Sequence, residues 1–210
     1  MHARLPGNDS SYAYSIYLCA GVLTWGIFAE LLERGISIFI DNANILKKLN
    51  FPRITLPIII VINAGFNFFI IFSLFLIALV LTGNFPGWVI VSMIPVLIIQ
   101  VLFSLGLGVS LGVLNVFFRD IGQLFKIILQ FWFWLTPVIY PITILPEFIR
   151  PIVLTWNPLA PVIGSYQTIL VNAQAPDWNA LLVPFLWSVL LCLVGFRLYS
   201  KHIDEIMDEL

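Results

Sequence analysis

The sequence predicts an all-α, polytopic membrane helix bundle, and three observations carry that expectation. First, 60% of the 210 residues are hydrophobic and only 10% are charged, with a mean hydropathy of +1.03. A soluble domain carries about 25% charged residues, so these charges are too few to clothe a globule in water. Second, apolar runs of about 20 residues recur along the chain, the length needed to cross the hydrocarbon core of a bilayer. Third, the few cations cluster at particular boundaries of those runs. A bilayer obliges each crossing segment to satisfy its own backbone hydrogen bonds, which selects helices here.

About five spans are expected, within one transmembrane domain covering residues 1–210. The first covers residues 14–32, with Glu30, Glu33 and Arg34 near its far end. The second covers 56–81, opened by Pro57 and closed by Thr82-Gly83-Asn84. The third covers 88–117, the fourth 121–140 and the last 178–199. Pro95 and Pro184 fall inside spans, where prolines are tolerated and can kink the helix. Residues 41–53 form a polar, basic loop, and Arg119-Asp120 a very short turn. Residues 141–176 are broken by Pro141, Pro146, Pro151, Pro158 and Pro161. That stretch is too interrupted for a span and too apolar for a free loop. It reads as short re-entrant or interface-lying helices, because irregular backbone at membrane depth needs protein or a cavity around it.

Orientation follows from the cations. With the 41–53 loop in the cytoplasm, Lys47, Lys48, Arg53, Arg119, Lys126, Arg197 and Lys201 lie inside or at the inner boundary. Arg4 and Arg150 are then outside. Positive-inside asymmetry favours this threading and a cytoplasmic C-terminus. Five spans then place the N-terminus outside, which points to a further span upstream of Met1. The opening residues lack the basic-then-apolar pattern of a signal peptide. A net charge of −1 gives no footprint for nucleic acid.

Several constellations stand out. In the basic loop, Ile45, Leu46 and Leu49 recur at helical spacing, with Asn42 or Asn44 as N-cap and Lys47 and Lys48 on the polar side. This is either a solvated anchor or a short helix that docks into a cytoplasmic partner. Gly108 and Gly112, with Gly106 and Ser110 offset, form small-residue pairs that let helices approach within one subunit or between subunits. Tyr14, Tyr17, Gly21, Trp25 and Phe28 share one face of the first span. Phe131, Trp132, Phe133 and Trp134 in the fourth span, with Tyr140 beyond, add further rings. Such stripes are either core and lipid-facing aromatics or stacking platforms for a sliding chain of rings. Glu30 and Arg34 can pair across one turn as a boundary ion pair, and Asn63 and Asn67 share a face. Cys19 and Cys192 sit in apolar runs and read as buried thiols rather than metal ligands. The sequence has no phosphate-binding GxxxxGK[ST], HExxH or nucleophile elbow. The residues alone therefore read as a multi-span transport or scaffold protein, and if transport is active its energy comes from another chain or an ion gradient.

The motifs taken in order resemble a known family. Asn42-Ala43-Asn44-Ile45-Leu46-Lys47-Lys48 with Phe51-Pro52-Arg53, then Asn115-Val116-Phe117-Phe118-Arg119-Asp120-Ile121, look like two of its signatures. Phe133-Trp134-Leu135-Thr136-Pro137-Val138-Ile139-Tyr140-Pro141 and Asn157-Pro158-Leu159-Ala160-Pro161 with Tyr166-Gln167 look like two more. The chain is similar, over essentially its whole length, to permease subunits of ABC-type polysaccharide and polyol-phosphate exporters, which handle O-antigen, capsule and teichoic acid. The resemblance implies a homodimer in the bacterial inner membrane that pairs with a separate nucleotide-binding subunit carrying ATP and Mg²⁺. This chain itself would hold no cofactor or metal. The cargo would be a lipid-linked polysaccharide. Asn42, Asn44, Ile45, Leu46, Lys47, Lys48, Arg119 and Asp120 would couple to the ATPase, within a coupling loop over residues 41–53. Tyr14, Tyr17, Trp25, Phe28, Phe131, Trp132, Trp134 and Tyr140 would line a glycan channel. Residues 141–176 would form an extracytoplasmic gate, with Pro146, Asn157, Pro158 and Tyr166 in it. The resemblance further implies an N-terminal amphipathic helix and one more span ahead of the position of Tyr14, which this sequence would lack. The alternatives are a small-molecule or drug exporter permease of the same superfamily, or an inactive truncated membrane scaffold.

Overall fold

The structure, a computed structural model, describes residues 12–44 and 55–209. Seven α-helices are described: α1 (Ala13–Asp41), α2 (Thr55–Leu81), α3 (Met93–Phe117), α4 (Asp120–Leu135), α5 (Arg150–Trp156), α6 (Leu159–Asn172) and α7 (Trp178–Glu209). A 3₁₀ turn over Gly87–Ser92 leads into α3, and a second over Ile142–Ile144 precedes α5. Among the described residues, four helices are long and apolar enough to cross a bilayer: α1, α2, α3 with its 3₁₀ lead, and α7 as far as Ile203.

The all-α bundle expected from the sequence is present, but the spans differ in length. α1 and α7 each run about ten residues further than their apolar runs, because charged residues at a helix end do not stop a helix. The fourth expected span is a helix of only 16 residues. At 1.5 Å per residue it reaches about 24 Å, short of a hydrocarbon core of about 30 Å. It stops at Leu135 because Thr136 precedes Pro137 and is driven into the extended region, with φ −99° and ψ 137°. Pro95 sits in the first turn of α3, where a missing N–H costs nothing, while α7 continues helical through Pro184. α2 closes as its turn residues predict. Gly83 takes φ +71°, and the Asn84 and Gly83 amides donate to Leu79 O and Val80 O at 2.9 and 3.1 Å.

α3 is the hub, and its two small-residue pairs serve two partners. On one side, a Cβ added at Gly35 of α1 would lie 2.9 Å from Gly108 Cα, and one at Gly112 would lie 2.5 Å from Gly35 O. On the other side, a Cβ at Gly106 would lie 2.5 Å from Cys192 N of α7, and one at Gly195 would lie 3.0 Å from Gly106 O and Ser110 Oγ. Both approaches are backbone to backbone and lie within one chain. Buried polar groups reinforce them: Gln100 Nε2 donates to Thr24 O, and Cys192 Sγ contacts Leu102 O at 3.1 Å.

The two ends of the bundle differ in chemistry. At one end, Arg119, Arg197 and Lys201 are exposed around a core of Phe39, Leu56, Tyr199, Ile203 and Ile206. Phe39 stacks on Tyr199 with centroids 5.0 Å apart. At the other end, Tyr12, Phe85, Trp88, Phe148, Trp156 and Trp178 are exposed, as befits an interfacial aromatic belt. α6 does not lie on the surface. It re-enters the bundle and packs on α1, α3 and α7 through Val162, Ile163, Tyr166, Ile169 and Leu170.

Candidate functional site

The aromatic end is organised around the five residues that follow α4. Thr136 to Tyr140 run as turn and extended backbone, and three elements hold them. From α1, Tyr17 OH donates to Tyr140 O at 2.9 Å and lies 3.3 Å from Pro137 O, while Tyr14 OH reaches Ile139 O at 3.4 Å. From α6, buried Gln167 donates Nε2 to Val138 O at 3.1 Å and Pro137 O at 3.3 Å. From the α5–α6 junction, Asn157 donates Nδ2 to Thr136 Oγ1 at 2.8 Å. Its Oδ1 accepts the Trp132 indole N–H at 3.0 Å and the Leu159 amide at 3.1 Å. The loop carbonyls have no helical partners of their own, so these side chains satisfy them.

Gly21 sets how close the loop lies to α1. A Cβ there would collide with the Val138 carbonyl oxygen, so only glycine admits the strand of backbone across this face. The aromatic stripe is therefore covered. Trp25 and Phe28 are 8% and 0% exposed and pack edge-on with Phe133 and Trp132 at 5.5 Å, with Phe103 behind them. As placed, these two rings belong to the core and not to an open channel wall. Tyr14, Tyr17, Trp132 and Tyr140 are half-buried around the loop, and Tyr140 OH donates to Trp134 O at 2.9 Å. Phe131 and Trp134 are 65% and 59% exposed on the outer face of α4. The eight rings expected on one channel thus divide among a core, a loop clamp and an exposed face.

The gate residues separate similarly. Asn157 is the hydrogen-bonding centre, Pro158 is the N-cap of α6, and Pro146 is exposed. Tyr166 is fully buried against Ile16, Ala20 and Val96, facing the core and no opening. Arg150 ties the preceding turn together, donating Nη2 to Thr143 O at 2.7 Å and Nε to Leu145 O at 2.8 Å. Beside the loop lies a cavity of about 470 Å³ between α1, the 3₁₀ turn at Ile142, α6 and the start of α7.

At the basic end, Ile45, Leu46, Lys47 and Lys48 lie outside the described residues. Asn42 closes α1, its Nδ2 donating to Ile38 O at 2.8 Å, which directs the amide backward onto α1 and away from the loop it was expected to cap. Asn44 is exposed. Arg119 and Asp120 are exposed at the tight turn from α3 to α4, with Asp120 in the first turn of α4, where its charge complements the helix dipole. Asn115 joins three helices there: Nδ2 donates to Ile36 O at 3.1 Å and Oδ1 accepts the Gly122 amide at 2.9 Å.

The Glu30–Arg34 pair forms, at 2.9 Å. Glu30 Oε1 also accepts Asn67 Nδ2 at 2.8 Å, and Asn67 stands near the middle of α2. Cys19 is exposed and Cys192 half-buried; Cys19 shares the outward face of Ser15, Val22 and Gly26, which correct its expected burial. Thr136, Gln167 and Asn115 were not singled out as site residues. Their signal in the sequence is a polar side chain within an otherwise apolar run, beside a proline or turn.

Comparison with known proteins accords with this architecture. Residues 2–171 match the ABC-2 type transporter family. An O-antigen export system permease protein RfbA of Myxococcus xanthus is 30% identical over 198 residues, which is 94% of this chain and 76% of the relative. The protein of the same name from Klebsiella pneumoniae is 30% identical over 189 residues, 90% of this chain and 72% of the relative. The resemblance read from the motifs is thereby borne out, and this multi-pass membrane protein belongs to the ABC-2 type transporter family.

Proposed function

We propose that the chain is the permease subunit of an ABC exporter that moves a lipid-linked, O-antigen-like polysaccharide outward across the bacterial inner membrane. The observation that carries this reading is its similarity, over more than nine-tenths of its length, to a permease named for O-antigen export. The architecture is compatible with it. A re-entrant helix and a clamped loop stand at the aromatic end, opposite Arg119, Arg197 and Lys201, where a polymer would leave.

On this reading the basic end and the C-terminus are cytoplasmic. ATP and Mg²⁺ are bound by a nucleotide-binding partner that engages the 41–53 loop and the Arg119-Asp120 turn, and two copies of this chain enclose the path. The transmembrane domain transmits force from the α1 end and the α3–α4 turn, which Asn115 links, toward the Thr136–Tyr140 loop. Release of that loop together with the end of α4, whose Trp132 and Phe133 pack on Phe28 and Trp25, would uncover these aromatic faces to passing sugar rings. Stacking suits such a cargo because it is indifferent to register.

Deleting the gene in its native host tests the function. The expected outcome is loss of surface polysaccharide with lipid-linked glycan accumulating inside. Unchanged surface polysaccharide would overturn the reading. Replacing Ile45 and Leu46 with Asp tests the coupling role: co-purification of the ATPase should fall while membrane insertion persists, and undiminished association would remove it.

A further inference from the structure

The cavity beside the clamped loop has a lining unlike that of a lipid-facing crevice. Tyr17, Ser165, Gln167, Thr168, Asn172 and Asp177 contribute hydroxyl, amide and carboxylate groups. Pro137, Pro141 and Pro161 add flat C–H faces. Small-ligand pockets span about 300–1,000 Å³ and place a few polar groups on an apolar frame. At about 470 Å³ this one suits a sugar ring or two, not a folded chain.

The chemistry narrows the class of ligand. Among the described residues the lining has no Lys or Arg, so none of them would neutralise a phosphate or diphosphate. Asp177 is the only carboxylate among the described lining residues, and its Oδ1 already accepts the Asn179 amide at 3.0 Å at the start of α7. A cation would therefore find little compensation. Ser165 and Thr168 donate back to Pro161 O and Gly164 O, at 2.7 and 2.9 Å, which leaves their oxygens as acceptors for an incoming hydroxyl. Space is also kept open along α6, since a Cβ added at Gly164, which lines the cavity, meets nothing within 4 Å.

We propose that this cavity binds an uncharged pyranose unit of the exported glycan, one pocket per protomer, in the wall beside the clamped loop. The pocket rests on the export reading above. Ring C–H faces lie on the prolines and Tyr17, while hydroxyls reach Thr168, Asn172 and the Asp177 rim. Occupancy would place a sugar directly against Gln167 and Tyr17, which hold the loop, and against Pro137 within it, so that arriving glycan touches the clamp itself.

The test uses the full chain in lipid nanodiscs and saturation-transfer NMR. The neutral probes are the methyl glycosides of glucose, mannose, galactose, rhamnose and N-acetylglucosamine; glucose 6-phosphate and choline are the charged ones. The expected result is transfer to ring protons of at least one neutral glycoside and none to either charged probe. Gly164→Phe, which fills the void, should abolish it, while Gly65→Phe, where a Cβ likewise meets nothing within 4 Å, should leave it intact. Thr168→Val and Asn172→Ala should each weaken binding by about 3- to 10-fold, the loss of one hydrogen bond. Equal transfer in wild type and Gly164→Phe, no transfer to any neutral glycoside, or preference for a charged probe would overturn the pocket. Should Gly164→Phe fail to fold, unchanged affinity in both Thr168→Val and Asn172→Ala overturns it instead. Accumulation of lipid-linked glycan in the deletion strain reports on export independently, so the pocket can fail while export stands.

Discussion

Replacing Asn157 with Leu should release the Thr136–Tyr140 loop without emptying space, because the two side chains are close in volume. The substitution removes two acceptor contacts, to Trp132 Nε1–H and the Leu159 amide, and one donation to Thr136 Oγ1. Thr136 loses little, since its hydroxyl also donates to Trp132 O at 2.8 Å. The two N–H donors are left without partners in a half-buried site, at about 1–2 kcal/mol each. The opening equilibrium of the loop should therefore rise by about 30- to 1,000-fold, taking 1.36 kcal/mol per decade. Hydrogen exchange of the full chain in nanodiscs reads this out at the Val138 amide, which donates to Thr136 O at 2.7 Å, and at Leu159. Asn157→Asp retains both acceptor contacts and should fall between wild type and Leu. Unchanged exchange in Asn157→Leu, or a larger effect from Asp than from Leu, would refute the idea that this side chain organises the loop.

Further outcomes follow from the packing. Gly21→Ala drives a methyl into the Val138 carbonyl and should destabilise the loop by about 1–3 kcal/mol, seen as faster exchange at the same amides. Gly108→Leu should separate α1 from α3 and abolish a sharp thermal transition in detergent, whereas Gly65→Leu, with open space around it, should melt like wild type. Asn67→Leu removes only the interhelical bond to Glu30 and should cost about 0.5–2 kcal/mol; a greater loss in thermal melts would show that the contact organises more than this pair.

The covering of Trp25 and Phe28 shows where reading from sequence stops. Their spacing with Tyr17 and Gly21 defines one helix face, and it does so correctly. Spacing carries no information about what lies on that face. The backbone at Val138 comes from a segment more than a hundred residues away, and its approach depends on Gln167 and Asn157 from two further elements. The Glu30–Arg34 pair is legible for the opposite reason: one turn of helix fixes it, and only its third member, Asn67, needs the fold.

By itself the sequence determined the solvent, the helical class, the close-packing character of Gly108 and Gly112 and the break of residues 141–176 into short helices. Each follows from local composition or from a period of three to four residues, because helices in lipid satisfy their own hydrogen bonds. Tertiary structure alone decided that the fourth apolar run stops at Leu135, that its rings are shared among core, clamp and surface, and that a polar cavity lies behind the loop. Those outcomes depend on carbonyls left free by Thr136–Tyr140 finding donors on distant helices, and that pairing is a property of the assembled chain.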